Sequence, residues 1–327
     1  MMFRRHAITF AALVAAAASC VTAAPTTIVD LSSSDLEYSP SHNANPGADA
    51  LFATIDSSQD PIRNALVLEH GKVVASYVRD DVNEELPYPV FSITKSWLSL
   101  LIGMLIDDGA LSLDETLGEV FYDKRCINGI VWEYVDEADF VKNVTIQEML
   151  TMSSGLVDLL DLTSGSDTPD GGVDGGMEMD WSDPYVLANL GGANLTDALN
   201  YLDVATKGEF SYVYTSQILG YVVLERSGLT PRQFASERVF PLLGIDDNAI
   251  EWDENYDDMQ HAFSGLHLNQ EQMAKFGQLY LQRGLAGSSP NARVISEEWV
   301  EATSSAHAYP GWPGMTYGYL FWLCESE

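Results

Sequence analysis

Phe91-Ser92-Ile93-Thr94-Lys95-Ser96 leads directly into an almost uninterrupted apolar run over residues 97–106. Residues three apart share one face of a helix, so the pattern predicts that Ser92 and Lys95 are neighbours on a first helical turn. The helix dipole favours negative charge at this end, and burial of a lysine favours its neutral form. Ser92 and Lys95 therefore have the arrangement of a nucleophile and its general base.

The same Ser-x-x-Lys pattern also has an ordinary structural interpretation. Ser92 would cap the helix, and Lys95 would extend its ammonium group to solvent from a core helix. Nearly every face between residues 97 and 106 is apolar and Gly109 follows as a C-cap, which predicts a buried, central helix. The residues alone leave the catalytic and the capping interpretations open.

The N-terminus predicts an exported protein. Arg4 and Arg5 precede an apolar run over residues 8–18 and small residues at 21–23, which is typical of a signal peptide over residues 1–23. A lipid anchor on Cys20 is not expected, because the residues before it lack the usual leucine. We expect a secreted, periplasmic or extracellular location.

Charge and residue content exclude several classes of function. The 327-residue chain has a formal net charge of −32, and removal of residues 1–23, with two arginines and no acid, changes this to −34. So negative a chain is a poor partner for nucleic acid or an anionic membrane. No later apolar segment is long enough to span a membrane. Because no Cys/His spacing suggests a metal site and the six histidines are scattered, we expect no metal.

Several segments could carry a cation or a covalent modification. The segment 158–183 is rich in Asp and Gly and is interpreted as a solvated surface insertion, with a calcium loop as the alternative. Cys126 and Cys324 could form a disulfide or remain as two free, buried thiols. Asn143 and Asn194 head glycosylation sequences, although the Thr of each also suits a helix N-cap.

Periodicity and capping residues give a coarse secondary structure. Residues 65–69 and 73–78 read as a hairpin around a Gly-containing turn, and residues 317–323 read as a single strand. Helices with recognisable caps or ends are predicted at residues 146–152, 196–202, 216–226, 270–283, 296–301 and from residue 230 onward.

Four motifs, at residues 91–96, 149–156, 240–245 and 276–281, occur in an order that resembles the β-lactamase-related serine hydrolases. That family includes class C β-lactamases, D-alanyl-D-alanine carboxypeptidases, esterases of the same fold and 6-aminohexanoate-dimer hydrolases. Residues 296–300 and 317–319 look most similar to the last group. The resemblance covers roughly residues 60–327.

The resemblance implies an α/β (α+β) fold of the β-lactamase/transpeptidase type, in which helices flank an antiparallel sheet. Residues 24–62 would form an irregular lead-in arm, followed by one hydrolase domain over residues 63–327. Two strands would come from residues 64–80 and at least one from 316–323, with a mostly helical insert at about 90–230.

The resemblance also assigns roles to residues. Ser92 maps onto the family's nucleophile, Lys95 onto its base and Tyr212 onto the phenol of its second motif. Tyr214 remains an alternative, because the family has Asn or Ser at that position and the spacing to Gly220 is one residue short.

The implied function is hydrolysis of an amide or ester through an acyl-enzyme on Ser92, with a small-molecule or peptide-like substrate. This function implies neither a metal nor an organic cofactor. The family's third motif, Lys- or His-x-Gly, should follow residues 317–323 and is absent, so we expect the chain to be C-terminally truncated, with its last strands missing. The alternatives are a non-catalytic, penicillin-binding-like protein and an inactive fragment of the hydrolase.

Overall fold

The computed structural model describes residues 28–33, 35–44, 46–57, 62–122, 138–158, 202–204, 207–212, 216–254, 258–289 and 291–324. The chain divides into two compact units, each assembled from three sections of sequence. Unit 1 takes Met1–Val90, Ser236–Glu251 and His267–Glu301, and unit 2 takes Phe91–Ala235, Trp252–Leu266 and Ala302–Glu327.

The described residues form both helices and strands. The helices are α1 (Pro46–Ser57), α2 (Ile93–Asp107), α3 (Leu117–Val120), α4 (Ala138–Lys142), α5 (Ile146–Leu150), α6 (Ser216–Ser227), α7 (Pro231–Arg238), α8 (Gln270–Leu281) and α9 (Glu297–Thr303), with a 3₁₀ turn at Asp247–Ala249. The strands are β1 (Asn64–Glu69), β2 (Lys72–Val78), β3 (Tyr88–Pro89), β4 (Leu156–Asp158), β5 (Leu202–Val204), β6 (Glu251–Trp252), β7 (Leu266–Leu268), β8 (Met315–Tyr317) and β9 (Trp322–Cys324). The pairs β1–β2, β3–β7, β4–β5 and β8–β9 are antiparallel, which confirms the predicted mixture of helices and antiparallel strands.

In unit 1 the predicted hairpin is confirmed as β1 and β2, with a register shift between Val67 and Leu68. His70 and Gly71 make the turn with positive φ angles of 50° and 76°. Helix α8 begins at the predicted cap, because the Asn269 side chain accepts the Gln272 backbone N–H.

The lead-in segment is more regular than its sequence predicts. It contains the twelve-residue helix α1, which starts at Pro46, a residue that suits a first helical turn. Leu31 and Leu36 are buried, and the Leu31 N–H donates to the Ala286 carbonyl at 2.7 Å. The expectation of an irregular arm is therefore wrong over these residues, because apolar side chains spaced among the polar ones bury themselves in unit 1.

In unit 2, helix α2 forms as predicted. Residues 94–105 of this helix are all buried, and α6 packs against it. Its C-terminus is a Schellman motif, in which Gly109 has a φ of 69° and donates to the Ile106 carbonyl at 2.9 Å while Ala110 donates to Leu105 at 2.9 Å. An apolar sequence on all faces thus produces a helix enclosed on all faces.

The segment 317–323 is a hairpin, so the prediction of a single strand is wrong. Strands β8 and β9 pair with Tyr317 opposite Trp322, and the chain reverses between them. Leu320 has a φ of 61° in this turn. A side chain on Gly318 would lie 1.9 Å from the Thr303 carbonyl oxygen, so only glycine fits there. A run of aromatic and leucine residues with a single glycine does not reveal such a reversal, since both strands bury the same residue types.

The capping box of Thr145 and Glu148 opens α5, and Ser296 accepts the Trp299 N–H at the start of α9. Helix α6 matches the predicted helix closely and ends before Gly228. Of the predicted helix 196–202 the structure describes only Leu202, which begins β5 instead.

The remaining predictions concern residues outside the described part of the chain. They are the signal peptide at 1–23, Cys20, most of the segment 158–183, Cys126 and Asn194. The disulfide between Cys126 and Cys324 therefore stays a prediction. Asn143 is described and exposed.

Candidate active site

Ser92 and Lys95 lie together at the start of α2, as the sequence predicts. The Lys95 Nζ atom is 3.2 Å from the Ser92 Oγ atom. Ser92 occupies the N-cap position with helical backbone angles, and its side chain caps no backbone N–H. Lys95 is only 1% exposed, so it does not extend to solvent. The geometry is that of a paired hydroxyl and amine, and the ordinary capping interpretation is wrong.

The Phe263 carbonyl is the second partner of Lys95. The Lys95 Nζ atom donates to this oxygen at 2.9 Å. Because one N–H of the amine points at this backbone carbonyl, the amine cannot rotate freely and its other N–H bonds and lone pair have fixed directions. The sequence gives no signal for this partner, because any residue supplies a backbone carbonyl.

A buried glutamine fixes the segment 260–266, which carries that carbonyl. The Gln217 side chain accepts the Ala262 N–H at 2.8 Å and donates to the Gln260 carbonyl at 2.9 Å, as a neighbouring strand would. Farther along, the Thr94 hydroxyl accepts the Leu266 N–H at 3.1 Å. Gln217 was not predicted, although a glutamine inside the apolar helix α6 is a signal that could have identified it.

The backbone is strained immediately before Ser92. Phe91 has a φ of 47°, a conformation that costs a non-glycine residue about 1–3 kcal/mol. The Phe91 carbonyl accepts the Thr94 N–H at 2.9 Å, which begins the helix with a tight turn. This bend places Ser92, which is half-buried, at the N-cap of α2.

Tyr212 lies beside the Ser92–Lys95 pair, but it presents the face of its ring. The Lys95 Nζ atom is 5.0 Å from the Tyr212 ring centroid and 5.7 Å from that of Phe263, both within the range of cation–π attraction. Tyr212 is 37% exposed, so water reaches it. Tyr214, the alternative phenol, lies outside the described residues.

The aromatic rings and the burial have opposite effects on the protonation of the Lys95 amine. Ring faces favour the ammonium form of Lys95, whereas burial favours the neutral amine that a base requires. Two other groups nearby stay neutral. Burial, with a smaller contribution from Tyr212, raises the pKa of Tyr317 well above its ordinary value, and burial lowers the pKa of His261 against the opposing effect of Asp253.

The β8–β9 hairpin is attached to the same helix. The Ser96 hydroxyl donates to the Leu320 carbonyl at 3.0 Å, and the Leu320 N–H donates to the Leu150 carbonyl at 3.0 Å. The first bond holds the hairpin turn against α2 and the second holds it against α5. The aromatic side chains of the strands therefore lie near the pair.

Over the described ranges, no group of three or more His, Cys, Asp or Glu side chains is arranged to hold a metal ion. None of the helices that the structure describes has the length and apolar content that crossing a membrane requires.

Comparison with known proteins gives one family. The family model described as Beta-lactamase matches residues 58–323. A search of the curated proteins finds no match.

Three solved structures are similar in fold to this chain. A Bacillus anthracis protein named as a 6-aminohexanoate-dimer hydrolase has a TM-score of 0.60 and 17% identity, over 83% of this chain and 67% of its own. EstCE1, described as a hydrolase with promiscuous acyltransferase activity, has a TM-score of 0.58 and 17% identity, over 84% of this chain and 81% of its own. A D-stereospecific amidohydrolase from Streptomyces has a TM-score of 0.50 and 13% identity, over 76% of this chain and 74% of its own. At these identities the similarity establishes the fold, which is of the β-lactamase/transpeptidase type.

Proposed function

This chain belongs to the beta-lactamase family, and we propose that it is a serine hydrolase that cleaves an amide or ester bond through an acyl-enzyme on Ser92. One observation carries the proposal. A fully buried lysine places its Nζ atom 3.2 Å from a serine hydroxyl at the N-terminus of a helix. A buried amine next to a hydroxyl is suited to remove its proton and so to activate it.

The proposed reaction has two halves. The Ser92 Oγ atom attacks the carbonyl carbon while its proton passes to Lys95. The oxyanion that forms accepts a hydrogen bond from the Ser92 N–H, at the positive end of the α2 dipole. Tyr212 relays the proton from Lys95 to the departing nitrogen or oxygen. A water molecule then attacks the acyl carbon and gives its proton to Lys95. The bond from the acyl carbon to the Ser92 Oγ atom breaks, and Lys95 returns the proton to Oγ as the carboxylic acid is released.

The alternative is a penicillin-binding-like protein of this fold that binds its ligand without turnover. The orientation of Tyr212 favours this alternative, since its ring face and not a hydrogen bond from its hydroxyl accounts for the contact with Lys95. A binding protein would keep the cleft and would not need Tyr212 to move a proton.

Labelling with a fluorophosphonate probe tests the proposal. We expect one adduct, which peptide mass spectrometry locates on Ser92, and no labelling of the Ser92→Ala variant. Ser99→Ala is the matched control, because Ser99 is buried on the same helix and its hydroxyl is without a hydrogen-bond partner among the described residues. An adduct on another serine, or undiminished labelling of Ser92→Ala, would contradict the proposal.

A panel of chromogenic esters and amides then separates the hydrolase from the binding protein. The hydrolase releases product repeatedly, whereas the binding protein forms at most one adduct per molecule. Both bond types belong in the panel because the names of structurally similar proteins include a hydrolase and an amidohydrolase.

We also propose that the protein is exported after loss of residues 1–23. The basic residues, apolar run and small residues at the N-terminus support this. Mass spectrometry of the protein secreted by its natural host should give an N-terminus at or near Ala24. A cell-retained protein that still carries Arg4 and Arg5 would contradict it.

A further inference from the structure

Three aromatic rings form a continuous row that starts at the proposed base. The Tyr212 ring lies over the Lys95 amine, its centroid is 5.2 Å from that of Trp322, and Trp322 lies 5.1 Å from Trp312. We name Tyr212, Trp322 and Trp312 the aromatic row. All three belong to unit 2.

The row leads from the buried amine to the surface. Tyr212 is 37% exposed, Trp322 is half-buried and Trp312 is 48% exposed. The two indoles are stacked with only 4° between their planes. The outer end of the row therefore presents indole surface to solvent, where a further flat ring could join the stack.

Other aromatic side chains and the β8–β9 hairpin hold the aromatic row in position. Trp322 also contacts Phe210 at 5.7 Å and Tyr317 at 4.9 Å, both edge to face. Tyr317 is 1% exposed and lies directly opposite Trp322 across the β8–β9 hairpin. Because the hairpin turn is bonded to α2 through Ser96, the rings are preorganised and little side-chain entropy would be lost when a ligand binds.

We propose that the aromatic row is the subsite for the leaving group of the substrate, and that this group is a neutral aryl or arylalkyl alcohol or amine. The inference rests on the proposed function, in which Tyr212 hands a proton to the leaving group. A row that begins at Tyr212 therefore lies on the leaving-group side of the scissile bond.

Charge selects a neutral group over a cationic one. The Lys95 amine lies over one face of the Tyr212 ring and becomes an ammonium group when it takes the serine proton, so a second cation on the row would meet a like charge at that step. A neutral aromatic ring adds to the stack without that repulsion, and such ring pairs contribute beyond their buried area.

Hydrolysis of acetate esters with different alcohols tests the subsite. Ethyl acetate, 2-cyclohexylethyl acetate and 2-phenylethyl acetate share one acyl group, and acetylcholine supplies the cationic alcohol. We expect kcat/KM to be highest for 2-phenylethyl acetate, by about tenfold over ethyl acetate. In Trp312→Ala the ratio of kcat/KM for 2-phenylethyl acetate to kcat/KM for ethyl acetate should fall by about three- to tenfold.

Tyr309→Ala is the matched control, since Tyr309 precedes Trp312 in the same loop, is 73% exposed and is no part of the row. It should leave every ester unchanged. If kcat/KM fell equally for all esters in Trp312→Ala, the stacked rings would have only a structural role. A loss confined to acetylcholine would show a cation site. Either result would overturn the proposal.

Binding provides a readout that does not need turnover. In the Ser92→Ala protein, 2-phenylethanol should quench indole fluorescence, and the quenching should weaken in Ser92→Ala with Trp312→Ala. If this binding is present but no ester is cleaved and Ser92 is not labelled, the proposed function fails and the subsite stands. If Ser92 is labelled but neither binding nor alcohol preference depends on Trp312, the subsite fails alone.

Discussion

Each of the two units encloses a buried lysine, and the two differ in what their amines contact. Lys95 in unit 2 is 1% exposed, and Lys275 on α8 of unit 1 is 2% exposed. The Lys275 Nζ atom donates to the Ser33 carbonyl at 2.6 Å and lies 3.4 Å from the Gly244 carbonyl. The hydrogen bonds described for the Lys95 Nζ atom are with the Phe263 carbonyl and, in contrast to Lys275, with a serine hydroxyl.

The difference shows that burial alone does not identify a catalytic base. Burial lowers the pKa of Lys275, although Glu271 and Asp35 oppose the effect. The Lys275 amine joins backbone segments that have no reactive group, so its contacts suit a structural role. The Lys95 amine contacts a hydroxyl that can become a nucleophile. The group that each amine contacts, more than its burial, separates the catalytic role of Lys95 from the structural role of Lys275.

The largest of the following effects is expected at the phenol beside Lys95. Tyr212→Phe should lower turnover of an ester or amide by about 100-fold, the lower end of the range for proton-transfer groups, because water reaches Tyr212 and can partly replace it. Tyr214→Phe should have a far smaller effect on kcat. If Tyr214→Phe is the inactive variant, Tyr214 and not Tyr212 relays the proton.

The next largest effect on catalysis is expected at Gln217, whose side chain holds the segment that carries the Phe263 carbonyl. Gln217→Met keeps the volume of the side chain but removes both of its hydrogen bonds to the segment 260–266. With the Phe263 carbonyl less fixed, we expect kcat to fall by about tenfold, equivalent to about 1.4 kcal/mol, with KM unchanged. The limb of the pH profile that reports Lys95 should move to lower pH, because a lost carbonyl acceptor disfavours the ammonium form.

The matched control for this variant comes from unit 1. Gln278 is similarly buried and bonds the Gln282 side chain, so Gln278→Met removes a comparable glutamine far from Ser92 in sequence. It should leave kcat and the pH profile unchanged. A Gln217→Met protein that merely melts earlier, with normal kcat and pH profile, would make Gln217 structural only.

Lys275 should affect stability without affecting catalysis. Lys275→Met deprives the Ser33 and Gly244 carbonyls of their buried donor, which should cost about 1–3 kcal/mol of unfolding free energy. Urea denaturation measures the cost, and turnover per folded molecule should stay within about twofold, since the hydrogen bonds described for the Lys275 amine are to backbone carbonyls of unit 1. A large loss of kcat in this variant would erase the distinction between the two lysines.

The smallest effect is a pH dependence of stability from His261. Its folded pKa is lowered by burial, so below the unfolded value of about 6.5 the unfolded chain binds a proton that the folded chain does not. Stability should therefore decrease as the pH falls from about 6.5 through the lowered folded pKa. His261→Phe, which keeps a ring against Phe263, should reduce that loss in urea denaturation at pH 5 compared with pH 8. If His261→Phe lost as much stability between pH 8 and pH 5 as the unmodified protein, groups other than His261 would be responsible for the loss.

The sequence predicts one half of this comparison well. The Ser-x-x-Lys spacing and the apolar run place Ser92 and Lys95 on a buried helix, because both features depend only on helical periodicity. Lys275 gave no comparable signal, and neither did the Phe263 carbonyl or the reversal at Gly318. Those depend on which backbone segments meet in space, which local patterns do not record. The buried Leu31 and Leu36 were missed for the same reason.

The most direct test of the central claim is the rate at which a fluorophosphonate labels Ser92 in three proteins at pH 7. If the hydroxyl contact makes Lys95 the base, Lys95→Met should label at least 100-fold more slowly than the unmodified protein. Lys275→Met should label at the same rate, once each rate is corrected for the folded fraction. Equal rates for Lys95→Met and the unmodified protein would contradict the claim that Lys95 activates Ser92.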